Sequence, residues 1–152
     1  MNIRRRLPAL FDRLARVPLG IHQLLFRLAI AGVFLRAGLT KIASWESTVA
    51  LFAEEYKVPV LSPEMAATMS AGVELGGSVL LLCGLGTRLA TLPFLGMIAT
   101  IQLFVYPQAW PEHLTWASIL LFLFTRGAGA VSLDHVIASA VAPRGESARA
   151  RA

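Results

Sequence analysis

Cysteine is almost missing from this 152-residue chain: Cys83 stands alone, which excludes an internal disulfide framework and any CxxC redox pair. Histidine is nearly as scarce, with three copies. His22 and His135 fall on the opposite side of the expected fold from His113, so paired haem ligation is not expected. No cluster of His, Cys, Met or Asp has metal-ligand spacing; Met65 and Met69 are one turn apart but stand alone, and no resident metal is expected. Charge is thin as well. Only 15% of residues are Asp, Glu, Lys or Arg against 56% hydrophobic, and the mean hydropathy of +0.65 lies far from the balance of a soluble domain. Scarce charge and abundant apolar sequence together point to an integral membrane protein in which the lipid bilayer is the solvent.

Four apolar stretches fill the chain. They run from about Ile21 to Ala43, Glu64 to Gly84, Arg88 to Tyr106 and Glu112 to Thr125, and a spanning helix needs roughly 20 mostly apolar residues. The last is short for a span and recruits flanking residues or sits where the bilayer thins. Pro59, Pro63, Pro107 and Pro111 punctuate the connections. The expected fold is all-α: a transmembrane four-helix bundle with an N-terminal amphipathic helix and a short interfacial helix between the first two spans. The remaining polar sequence is too short for a second domain. One domain is expected over residues 1–138, with 1–20 as a basic amphipathic arm and 139–152 as a disordered cytoplasmic tail.

Ten arginines, among them Arg4, Arg13, Arg88, Arg126 and Arg149, flank the spans on one side, whereas the first and third connections hold Lys57 beside Glu46, Glu54, Glu55 and Glu112. Basic flanks stay cytoplasmic, so both termini are expected inside. The basic arm is explained by insertion and by an anionic membrane surface, which leaves no call for nucleic acid. Interruption by Arg27 and Arg36 argues against a cleaved leader. In the first connection Val49, Phe52 and Tyr56 recur at helical spacing among glutamates, as in a helix lying at the interface. Trp45, Tyr56, Tyr106, Trp110 and Trp116 also form an aromatic belt near one boundary.

Ionised groups inside a bilayer are costly and need a reason. Arg36 and Glu74 sit within the first and second stretches, about 10 Å and about 15 Å below the outer boundary at the helical rise. Ala29, Gly32, Arg36, Thr40 and Ala43 share one strip, and Ala67, Ser70, Ala71, Glu74, Gly77 and Ser78 another. Small residues allow close approach, so the two strips are expected to pack with the charges paired. Such a pair locks two helices, lines a cavity, or does both. Gln102 and Tyr106 share a face of the third stretch, and His113, three residues before Trp116, opens the fourth. His113 reads equally as a solvated interfacial residue. Arg27 and Lys41, near span ends, are expected to snorkel to their own interfaces.

The strings FLRAGLTKIASW (34–45), VELGGSVLLLCGLGTRLATLP (73–93), FVYPQAWPEHLTWA (104–117) and RGAGAVSLD (126–134) together resemble the DoxX family. The resemblance implies a small four-helix membrane protein. Members serve as subunits of quinone-linked oxidoreductases, including thiosulfate:quinone oxidoreductase, and as membrane partners of enzymes that counter oxidative stress. The branch with WPEHLTWA-like segments implies a role in metallophore or copper handling.

Joined to the polar constellation, this yields the leading expectation: an inner-membrane subunit of a quinone-linked redox or oxidative-stress system, at most a subunit of the oxidoreductase rather than the whole enzyme. Arg36, Glu74 and His113 are the expected catalytic groups, with Arg36, Glu74, Gln102, Tyr106, Trp110 and Trp116 around the quinone. The alternatives are a non-catalytic scaffold for protein partners at the outer or cytoplasmic face, including one for metal stress, and a small-solute or metal transporter. Surplus glycines at 72, 76 and 77 leave a homo-oligomer open.

Overall fold

The computed structural model describes Phe11 and residues 15–141. The expected amphipathic helix of the arm falls almost wholly outside these residues, as does the tail from 142 onward. Six helices and no strands make up the described residues. Helix α1 is Leu19–Ala43. Helix α2 is Trp45–Leu51, continued by the π-helical turn Phe52–Tyr56. Helices α3 and α4 are Pro63–Cys83 and Thr87–Val105, the two that are long and apolar enough to cross a membrane. Helix α5 is Trp110–Arg126 and α6 is Leu133–Val141. Residues 139–141 therefore continue a helix rather than open a disordered tail.

The breaks follow local chemistry. Ser62 caps α3, its hydroxyl accepting from the Met65 N–H at 3.3 Å, and Pro63 occupies the first turn, where its missing donor costs nothing. Gly84 ends α3 at φ +66, the left-handed conformation that glycine adopts most readily. A Cβ there would also meet Arg27 Nη1 at 2.6 Å. Pro107–Ala109 forms a single 3-10 turn, after which Pro111 falls in the first turn of α5.

The four long helices pack side by side, each antiparallel to its neighbours. Residues near opposite ends meet: Arg27 with Leu82 and Lys41 with Glu74 across α1 and α3, and Arg88 with Thr125 and Gln102 with His113 across α4 and α5. Phe26 on Phe122 and Phe34 on Trp116 join α5 back to α1. Ile30, Phe34, Leu81, Phe94, Leu120 and Leu123 form the shared core. Close approach does the rest: a Cβ on Gly77 would lie 2.5 Å from the Phe94 ring, and one on Gly38 would lie 2.8 Å from Leu75 Cγ. A separate cluster of Phe52, Ala66 and Ala67 seats α2 on the first turns of α3.

The outer faces of these helices are mainly apolar, with Arg36 on α1 a charged exception. Leu25, Leu39, Leu89, Leu103 and Leu114 are exposed, while Gln23, Arg27, Ser78, Thr87 and Thr91 are buried. Arg27 does not snorkel. It is 2% exposed and donates to the carbonyls of Ala128 (2.9 Å), Val131 (2.7 Å) and Leu82 (3.1 Å). Asp134 completes this clasp by accepting from the backbone N–H groups of Gly86 (2.7 Å) and Thr87 (3.0 Å) at the start of α4.

Candidate functional site

At the opposite end from the Arg27 clasp, the helices enclose a cavity of about 600 Å³, within the range of small-molecule sites. Its walls are mainly apolar, with Phe34, Met97 and Trp116 among them, and α2 lies over the mouth through Phe52 and Tyr56. The polar groups on its walls are few, Lys41, Tyr56, Glu74, Tyr106, Glu112 and His113 among them.

Lys41 and Glu74 form an ion pair on the α1–α3 wall, with Nζ 2.7 Å from Oε1. The lysine side chain is 16% exposed and the glutamate 5%. Glu74 Oε2 is enclosed, with no partner at hydrogen-bonding geometry. One turn earlier, the Ser70 hydroxyl donates weakly to Met97 Sδ at 3.6 Å. Glu74 stands in a π-helical turn, Val73–Gly77. Such turns are rare and recur at functional sites, because the extra residue re-aims a side chain without breaking the helix. Gln102 lies in another, Ile101–Val105, and Tyr56 in a third, Phe52–Tyr56.

His113 lines the α5 wall, buried beside Trp116 with ring centroids 5.7 Å apart. Its Nδ1 lies 2.7 Å from Gln102 Oε1, and Gln102 Nε2 donates to the Pro107 carbonyl at 2.9 Å. At the mouth, the Tyr106 hydroxyl donates to Glu55 Oε1 and its ring packs edge-on against Tyr56, centroids 5.6 Å apart. Burial raises the Tyr56 phenol above its ordinary value. Tyr106, just beyond the end of α4, is raised by its hydrogen bond to the Glu55 carboxylate. Both phenols therefore stay protonated at neutral pH.

Glu74, His113, Tyr106 and Trp116 thus meet around one space. Arg36 is not among them: it is exposed on α1, and the pairing expected for it with Glu74 is made by Lys41 instead. The reason is rotational. At about 100° per residue, Arg36 points well away from the face of Phe34, Ala37 and Lys41 that lines the cavity. The whole small strip chosen for α1, Ala29 through Ala43, is exposed. Gln102 stands behind His113 rather than on the cavity wall. With Trp110, which is 58% exposed, it borders a shallower apolar groove of about 330 Å³ between α4 and α5. Lys41, Tyr56 and Glu55 are not expected at the site from the sequence: Lys41 is expected to snorkel and instead pairs with Glu74, Tyr56 is expected in the aromatic belt, and Glu55 in the outward connection. A signal for Lys41 was present: Arg27, Ile30, Phe34, Gly38 and Lys41 repeat at steps of three and four, placing both cations on the face with the large apolar residues.

Among the described residues, no three His, Cys, Asp or Glu side chains come together to hold a metal ion. No curated protein and no solved structure matches the chain. The family model DoxX matches residues 22–107, from α1 to the end of α4, and so takes in Lys41, Glu74, Gln102 and Tyr106 but stops short of His113 and Trp116. That match covers more than half of the sequence and joins two apolar helices of spanning length, and on it the chain belongs to the DoxX family of small helical membrane proteins.

Proposed function

We propose that this chain is a membrane subunit of a quinone-linked redox system and that the cavity receives the quinone head. The observation that carries the reading is the Lys41–Glu74 pair on the wall of an otherwise apolar cavity, with His113 on another wall. Helices α1, α3, α4 and α5 all cross the bilayer in this reading. Their exposed leucines and buried polar residues support it, since that is the inside-out distribution lipid requires. Arg88 and Arg126 lie at one end and Glu46, Glu54, Glu55, Glu64 and Glu112 at the other, a distribution that supports both termini in the cytoplasm and the cavity in the outer half of an inner membrane.

The residues present fit such a head. Lys41 supports the fit, since it lines the cavity and its Nζ keeps N–H groups beyond the one given to Glu74 Oε1. A bound quinone supplies two-electron, two-proton carrier chemistry. Lys41 orients an oxygen by donating from Nζ, Glu74 holds the ammonium in place, and Trp116 and Phe34 offer faces for a flat ring. His113 takes a proton at Nε2. Helix α2 keeps water from the mouth through Phe52 and Tyr56. Electrons come from a protein partner at the outer face, where α2 is presented.

Titration of the purified chain in lipid nanodiscs with a short-tailed quinone analogue, followed by tryptophan quenching, tests this. Saturable binding is expected, weakened about ten-fold or more in Lys41→Met and Trp116→Ala and unchanged in Arg36→Ala. An analogue that fails to bind the wild-type chain would falsify the quinone reading and leave a scaffold whose charges only fasten helices.

A further inference from the structure

Resting on that reading, we infer that the cavity prefers the hydroxylated, reduced form of its ligand, a quinol or related phenol, over the dicarbonyl form. The inference comes from a chain of hydrogen bonds that fixes which ring nitrogen of a neutral His113 carries the hydrogen. The Pro107 carbonyl only accepts, so the Gln102 group 2.9 Å away must be its amide nitrogen. Gln102 then turns Oε1 toward His113, and at 2.7 Å the facing Nδ1 must carry the hydrogen. A neutral imidazole with its proton on Nδ1 holds a lone pair on Nε2, and no described residue donates to that atom.

The two polar poles of the cavity therefore ask for opposite things. Lys41 has N–H groups left after its bond to Glu74, so its pole wants an oxygen that accepts. The His113 pole wants a group that donates. A quinol satisfies both, with one hydroxyl giving its hydrogen to Nε2 and the other oxygen accepting from Nζ. An oxidised ring has two acceptors, and the one facing His113 would meet a lone pair. Sites built to hydrogen-bond a hydroxyl discriminate strongly against analogues that lack the donor, because the site's own group is then left unpaired. Gln102 is in this account a positioning residue: it touches no ligand and acts by fixing the tautomer of His113.

The test uses three ligands on the full-length chain in nanodiscs: a short-tailed hydroquinone monomethyl ether and its dimethyl ether, neither of which cycles readily to a quinone, and the corresponding quinone under non-reducing conditions. The monomethyl ether, with one hydroxyl to give, is expected to bind about ten-fold more tightly than the other two. Gln102→Leu frees the imidazole to carry its proton on either nitrogen and is expected to shrink that ratio toward one, chiefly by tightening the quinone, whose oxygen can then accept from an Nε2–H. His113→Phe should abolish the ratio altogether. Equal or tighter binding of the dimethyl ether or quinone overturns the inference and leaves the quinone reading standing, whereas binding of none of the three removes both.

Discussion

A lysine and a glutamate 2.7 Å apart, one 16% and the other 5% exposed, neutralise each other where neither would be tolerated alone. Removing one partner of such a pair strands the other, a loss of roughly 3–5 kcal/mol, while replacing both by apolar groups is often neutral. Lys41→Met should accordingly lower the thermal midpoint in detergent sharply, and Lys41→Met with Glu74→Met should recover most of the loss. Arg36→Ala, at an exposed position, should stay within about 0.5 kcal/mol of wild type. A large effect at Arg36 with none at Lys41 would mean the pairing has been misassigned. Glu74 was legible as a carboxylate inside an apolar run, because any such charge requires an explanation. Its partner was not. The small residues of α1 suggest a buried strip from Ala29 to Ala43, whereas the helix buries its Ile30–Phe34 face and carries Arg27 and Lys41 inward with it. The position of Gln102 behind His113 was equally hidden, since it depends on the Pro107 carbonyl, a backbone atom that no side-chain pattern announces.

Helices announced themselves through apolar run length and through Pro63, Gly84 and Pro111 at their ends. The π-helical turns did not, because one extra residue in a single turn leaves the surrounding apolar pattern almost unchanged. Helix α6 escaped for a different reason: its nine residues form no span, and its start is fixed by tertiary bonds from Asp134 to Gly86 and Thr87. Between elements, contact distance is the controlling variable. A methyl on Gly77 would sit 2.5 Å from the Phe94 ring, and overpacking of this kind costs about 1–3 kcal/mol. Gly77→Ala should therefore lower the thermal midpoint, and Phe94→Leu in the same chain should restore part of it through a positive coupling in a double-mutant cycle. Gly76→Ala, whose added methyl would meet nothing within 4 Å, is the control expected to have little effect.

At the scale of the whole molecule the two ends of the helix array are built for different tasks. One is closed by backbone carbonyls gathered around Arg27 and by Asp134 on the start of α4, leaving little room for a ligand. The other opens into the cavity beneath α2. This division has a directional consequence if the four long helices cross the bilayer with their arginine-rich ends in the cytoplasm. Glu54, on α2, would then face the outside and Ala130, in the clasp loop, the inside; both are exposed in the fold. With Cys83 replaced by serine, a single cysteine at either position reports its side. A membrane-impermeant maleimide added to intact cells should label Glu54→Cys at once and Ala130→Cys only after permeabilisation. The reverse pattern would place the cavity toward the cytoplasm and require its electron-donating partner there. Labelling of both sites in intact cells would mean that the four helices do not separate them.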